Sequence, residues 1–224
     1  MALAQRHRAM PTDSLLQLDL ADANWSARHE DIAVGAGFTI ESTSAAGATL
    51  RRRHTLADTV ATGMRLLICG LNPSPYSAEV GIGFGRPGNR FWPAALAAGL
   101  VSADRDPVHA LEVDGVGMTD LAKRPTRTAA ELDDDEYRNG LARVERLTVW
   151  LAPAAICAVG LAGWRAVVDR RATAGVQDRW LGGRPVYLMP STSGLNAHAR
   201  LADLTEHLGA AMNLADRSFD PGRR

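Results

Sequence analysis

The chain has 224 residues, of which 46% are hydrophobic, and its 25 basic and 25 acidic residues leave no formal net charge. That length carries one α/β domain with a real core, and the neutral balance argues against a nucleic-acid coat protein while leaving room for an enzyme with a local basic face. The longest apolar runs, such as 154–159, are strand-length, and the opening Met-Ala-Leu-Ala-Gln-Arg-His-Arg lacks the apolar core of a secretory signal. A cytoplasmic location, with no membrane contact, is the expectation.

Residues 1–53 are polar, rich in Ala, Ser and Thr, and show no sustained period. They read as a mobile N-terminal extension with a short helix over 19–27. Arg51, Arg52, Arg53 and His54 close it with a positive cluster that reads as a solvated linker or a DNA-contacting arm. From residue 54 to 224 the texture is globular. The run 64–69 ends at Gly70 and predicts a buried strand. Residues 70–75, with prolines at 73 and 75, predict a loop. A glycine-rich loop over 81–88 precedes a helix over 90–99, and 112–120 holds a short strand. Asp133, Asp134 and Asp135 suit a first helical turn, and Tyr137, Leu141, Val144, Leu147 and Leu151 follow at helical spacing. Residues 154–160 predict a second central strand, 164–171 a helix, 185–189 a third strand, and Leu201, Leu204, Leu208 and Met212 a closing helix. Strands alternating with helices imply an α/β fold, three-layered, with a mostly parallel central sheet flanked by helices.

Cys69 and Cys157 lie in apolar strand-like runs and read as buried free thiols. Two cysteines cannot supply the four thiolates an iron–sulfur cluster usually takes, and no zinc-binding pattern is present, so no metal and no cofactor are expected. The glycine-rich run 81–88 lacks the Gly-Lys-Ser/Thr ending of a phosphate loop.

In a parallel sheet, ligands bind beyond the carboxyl ends of the strands. The loops there are 70–92, 117–125 and 189–198. They read Gly70-Leu-Asn-Pro-Ser74, then Gly-Ile-Gly-Phe-Gly-Arg-Pro-Gly-Asn-Arg-Phe-Trp over 81–92, Gly-Met-Thr-Asp-Leu-Ala-Lys-Arg-Pro-Thr over 117–126, and Met-Pro-Ser-Thr-Ser-Gly-Leu over 189–195. This ordered set resembles the mismatch-specific uracil-DNA and thymine-DNA glycosylase family, within the uracil-DNA glycosylase superfamily. The resemblance runs from about residue 55 to 208 and leaves the extension uncovered.

The resemblance implies a monofunctional glycosylase that flips uracil, or a related deaminated or etheno base, out of DNA and hydrolyses its glycosidic bond, leaving an abasic site. It places the catalytic Asn on Asn72, whose amide can orient a water. It places Phe84 over the extruded base, where aromatic stacking is worth about 1–3 kcal/mol. Ser77 falls beside the C5 edge of the pyrimidine, which favours uracil over thymine, and backbone N–H groups at Leu71 and Phe84 would hold the base oxygens. Gly194, Leu195 and Asn196 form the DNA wedge. Asp120 departs from the Asn or Lys usual in the family, and a carboxylate there can accept a proton and offset positive charge on the sugar; a helix cap is the alternative. Arg90, Lys123, Arg124, Ser191 and Ser193 are the candidate phosphate contacts, with Arg86 and Arg127 further cationic candidates. The partner is DNA containing uracil, duplex or single-stranded, met by a monomer. Two other readings of the same fold are a DNA-damage binding module of weak activity and a small-molecule nucleosidase.

Overall fold

The computed structural model describes residues 2–19, 23–44 and 47–218. The chain opens with α1 (Ala2–Ala9), β1 (Leu15–Asp19), α2 (Ala23–Gly35), β2 (Phe38–Thr43) and β3 (Gly47–Arg52). The three strands form an antiparallel sheet in the order β1-β3-β2, around a small core of Ala33, Ala36, Phe38, Ala48 and Leu50. The expected mobile extension is therefore a folded unit. The helix expected over 19–27 appears as α2, later in the chain, with residues 20–22 outside the described residues.

The basic cluster is built into this unit at the end of β3. Arg51 pairs with Glu41 at 2.8 Å, the buried Arg52 donates to the His7 carbonyl and to Thr12, and Arg53 donates to Thr39. His7 hydrogen-bonds the Arg53 carbonyl at 2.9 Å and meets Phe38 edge-on, so α1 is tied to the end of the sheet.

The second sheet begins with β4 (Leu66–Gly70), buried along its whole length. Leu66 and Ile68 pack into one core and Leu67 and Cys69 into another, so both faces of the strand are covered, as in a parallel sheet. Then come α3 (Pro75–Val80), α4 (Phe91–Ala97), α5 (Pro107–Glu112), β5 (Val116–Asp120), α6 (Asp134–Leu151), β6 (Ala155–Val159), α7 (Leu161–Val167), β7 (Gly175–Leu181), β8 (Arg184–Met189) and α8 (Leu201–Ser218). The order is β5-β4-β6-β8-β7; the first four strands are parallel, and β7 pairs antiparallel on the edge. Helices α4 and α8 cover one face through Phe91, Trp92, Leu204 and Leu208. Helices α6 and α7 cover the other through Tyr137, Leu141, Val144 and Trp164. The three-layer α/β architecture matches the sequence expectation, with β7 as an addition to it.

Local chemistry accounts for the helix starts. Asp133 accepts from the Glu136 amide and Glu136 answers to the Asp133 amide, a reciprocal cap at the head of α6. Pro75 stands at the first position of α3, where its missing N–H costs nothing, and Ser74 caps that helix through the Ser77 amide.

This order places the site. The chain leaves β4 to build β5 on one side and returns to build β6 on the other. Such a reversal opens a crevice beyond the strand ends.

Candidate active site

A cleft of about 380 Å3 lies at that crevice. Its walls come from residues directly beyond or at the ends of four strands: Leu71 and Asn72 after β4, Asp120 ending β5, Val159 ending β6 and Ser191 after β8. Ser77 and Phe84 also line it, as do Ser193, Leu195 and Asn196. Motifs up to 125 residues apart in sequence thus meet in one depression.

The Asn72 amide is held in one orientation. Its Nδ2 donates to the Arg124 carbonyl at 2.9 Å and to Thr126 Oγ1 at 2.7 Å. The carbonyl only accepts, and the Thr126 hydroxyl proton already goes to the Thr128 carbonyl at 2.8 Å. Both partners therefore need the NH2 end, which assigns the flip. Among the described residues nothing donates to Asn72 Oδ1, so an acceptor is left for a water. Sequence reasoning missed the role of Thr126; its place six residues beyond Asp120 in the same 117–126 run was the available signal.

Asp120 is 6% exposed, and among the described residues no donor hydrogen-bonds its carboxylate. Burial pushes its pKa up to about 6; Asp58 adds to the rise, while Lys123 and Arg143 oppose it. No helix begins directly after β5, so the helix-cap alternative falls away. Gly70 makes room for this carboxylate: a Cβ there would lie 2.6 Å from Asp120 Oδ1 and 3.2 Å from Phe84 Cζ.

Phe84 adopts a positive φ of 56°, a strained conformation for a bulky residue. Trp92 Nε1 anchors the loop by donating to the Gly83 carbonyl at 2.8 Å. One face of the Phe84 ring stacks on the fully buried Phe91, with centroids 4.3 Å apart and planes 19° apart. The ring also borders the cleft. Ser77 is buried in α3, where Ser74 Oγ donates to its hydroxyl at 3.1 Å.

Leu195 is 73% exposed at the tip of the 190–200 loop, and α8 starts only at Leu201. Its side chain therefore stands outside the packed core, ahead of α8. Gly194 lets this loop approach the glycine-rich one, since a Cβ there would sit 2.8 Å from the Gly88 carbonyl oxygen.

Three cations assigned to phosphates have other partners. Arg90 donates to the carbonyls of Ser193 (2.8 Å), Asn196 (2.7 Å) and Ala199, clamping the wedge loop from below. Lys123 Nζ bonds the Leu56 carbonyl and Asp58, at 2.8 Å from the carboxylate. Arg124 makes a two-pronged pair with Glu136, both contacts 2.7 Å. Each guanidinium or ammonium satisfies groups of the protein itself. By contrast, Arg86 and Arg127 are exposed, line the cleft, and among the described residues make no ion pair. The Ser191 and Ser193 hydroxyls accept from the Ser193 and Leu195 amides, at 3.3 Å each, and remain on the cleft rim.

Cys69 and Cys157 are buried free thiols on neighbouring strands; burial pushes Cys69 up to about 12 and Cys157 higher still. Neither forms part of the cleft lining. Among the described residues no three His, Cys, Asp or Glu side chains gather to hold a metal ion, and no helix is long and apolar enough to cross a membrane.

Fold and cleft together are those of an α/β protein with a pocket of mixed polar and apolar lining at a strand-order reversal. The family model for the uracil DNA glycosylase superfamily matches residues 57–213, and the chain belongs to that superfamily. The match leaves out the N-terminal sheet. The fold is also similar to the solution NMR structure of a candidate uracil DNA glycosylase from Methanosarcina acetivorans. The TM-score is 0.50 at 20% identity, over 71% of this chain and 96% of that one.

Proposed function

We propose that the chain is a monofunctional DNA glycosylase of the mismatch-specific uracil-DNA and thymine-DNA type, serving base excision repair. Its reaction hydrolyses the N-glycosidic bond of uracil in DNA. The observation that carries this reading is the junction of Asn72, Asp120 and Phe84 in one cleft of a uracil DNA glycosylase superfamily member.

The extruded uracil stacks on Phe84, with Ser77 beside its C5 edge and the backbone at Leu71 and Phe84 facing its oxygens. The bond from the sugar C1′ to the base nitrogen breaks, and uracil departs with the electron pair. Positive charge develops on the sugar, next to the Asp120 carboxylate. Asn72 Oδ1 orients a water towards C1′, and Asp120 accepts its proton as the new C–O bond forms. Leu195 fills the space left in the duplex, while Arg86, Arg127 and the Ser191–Ser193 rim meet the phosphates. No amine enters the mechanism: the chain's single lysine, Lys123, is bonded into the protein.

End-labelled oligonucleotides carrying uracil, ethenocytosine, hypoxanthine or a G·T mispair, single-stranded and duplex, test the reading. Uracil-containing strands should break only after alkali, in multiple turnovers. Breakage without alkali would contradict the monofunctional mechanism. Binding without turnover would leave a damage-binding module, and cleavage of free deoxyuridine alone a nucleosidase.

A further inference from the structure

Behind the cleft floor, charged side chains from three separate segments are buried together. Asp58 is carried on the short segment that leads into β4. Thr59 and Met118 exchange backbone hydrogen bonds at 2.9 and 2.8 Å, and the Asp58 amide donates to the Gly35 carbonyl at 2.7 Å. The segment is thereby pinned between β5 and the N-terminal unit. The Asp58 carboxylate receives Lys123 Nζ at 2.8 Å, Arg143 at 2.9 Å from α6, and the Thr119 hydroxyl at 2.8 Å. Arg143 continues to Thr119 Oγ1 at 2.9 Å and to the backbone carbonyl of Asp120 at 2.7 Å. The side chains of Asp58, Arg143 and Lys123 are 3%, 6% and 13% exposed.

The charge count of this cluster is uneven. Lys123 and Arg143 bring two positive charges, and Asp58 returns one negative charge. Buried charge is tolerated only when paired, so one positive charge lacks a buried counter-ion. The next carboxylate in the chain's interior is Asp120, whose own carbonyl Arg143 holds. Ionised, Asp120 makes the cluster neutral; protonated, it leaves the excess. The other walls around Asp120 do not compete. Cys69 on β4 stays a neutral thiol, Phe84 is uncharged, and Arg86 and Arg127 stand on the open, solvated side of the cleft.

We propose that Asp58, Lys123 and Arg143 are positioning residues that set the pH at which Asp120 becomes an anion, the two cations favouring the charged form and Asp58 opposing them. Asp58 itself remains ionised: burial pushes it up, but Lys123 and Arg143 hold it below the ordinary carboxylate range. The same neighbours act on Asp120 with the same signs, on top of a larger rise from burial. Lys123 thus serves the reaction from inside the protein and not from the DNA backbone. The use of Asp120 as a base rests on the glycosylase reading; its titration does not.

The test is the titration of the Asp120 carboxyl carbon by 13C NMR in the full chain, assigned by its loss in Asp120→Asn, with single-turnover base release followed over the same pH range. Lys123→Gln removes a positive charge and should move the Asp120 midpoint up by about one pH unit; Asp58→Asn removes a negative charge and should move it down by a similar amount. If one variant does not fold, the shift in the other decides alone. Midpoints that stay within about 0.3 unit of wild type, or both move the same way, overturn the proposal; a purely structural cluster gives no opposed pair of shifts. Should the midpoints move as expected while the wild-type chain releases no base, the glycosylase reading fails and the titration control stands.

Discussion

Gly70→Ala places a single methyl group at the floor of the cleft. The new Cβ would stand 2.6 Å from Asp120 Oδ1, where real Cβ contacts essentially never fall below 3.0 Å. The carboxylate must therefore withdraw by at least the difference, 0.4 Å, and the Phe84 ring edge at 3.2 Å must yield slightly as well. Misplacing a reacting group by about 1 Å costs about 10²-fold in rate, so a loss of about 10–10²-fold in single-turnover base release is expected. Overpacking of this kind costs about 1–3 kcal/mol, which for a domain of this size lowers Tm by roughly 2–12 °C. Binding to abasic-site DNA should change little, because the methyl touches neither the rim nor the wedge. The assay pairs rapid-quench base release with a thermal melt at the same pH. A variant that melts lower but releases uracil at the wild-type rate would show that Asp120 and Phe84 do not flank the reacting atoms.

Two further outcomes follow from the site. Leu195→Ala should slow duplex substrates far more than single-stranded ones, because only a duplex demands that the gap be filled, at an unstacking cost of a few kcal/mol; equal losses on both would refute the wedge. In the wild type, single-turnover rates should fall as pH drops through about 6, because Asp120 works as the anion and burial has raised its pKa to that value. Asp120→Asn should be slower and lack that acidic limb, and an unchanged profile would remove Asp120 from the chemistry.

The central sheet was legible because its parallel strands are buried on both faces and read as short apolar runs. Leu66 to Gly70 and Ala155 to Val159 are of this kind. β7 was not legible: it is an edge strand whose outward positions, including Val176 and Trp180, are exposed, so no apolar run marks it. The N-terminal unit escaped for a related reason. Its β1 alternates exposed with partly buried residues, its β3 partly buried with buried ones, and its core holds three alanines among five residues. α3 was hidden because Pro75 reads as a breaker, although at a helix's first position it is compatible with the fold. At the site, the loops could be named in advance because they follow strand ends, whereas Asn72, Ser77, Phe84 and Leu195, which line the cleft, were reached only through the family resemblance. The partners of the cations could not be named in advance. Arg90 is bonded to carbonyls more than 100 residues away, and Lys123 to an aspartate 65 positions earlier, distances that composition and spacing do not resolve.

The most direct measurement compares wild type and Asn72→Ala in single-turnover uracil release from an oligonucleotide with uracil opposite guanine, with DNA binding measured alongside. Asn72 Oδ1 is proposed to orient the attacking water, so the variant should bind the DNA with nearly unchanged affinity and lose about 10²–10⁴-fold in rate. A wild-type chain that releases no uracil, or an Asn72→Ala chain that releases it at the wild-type rate, would contradict the account.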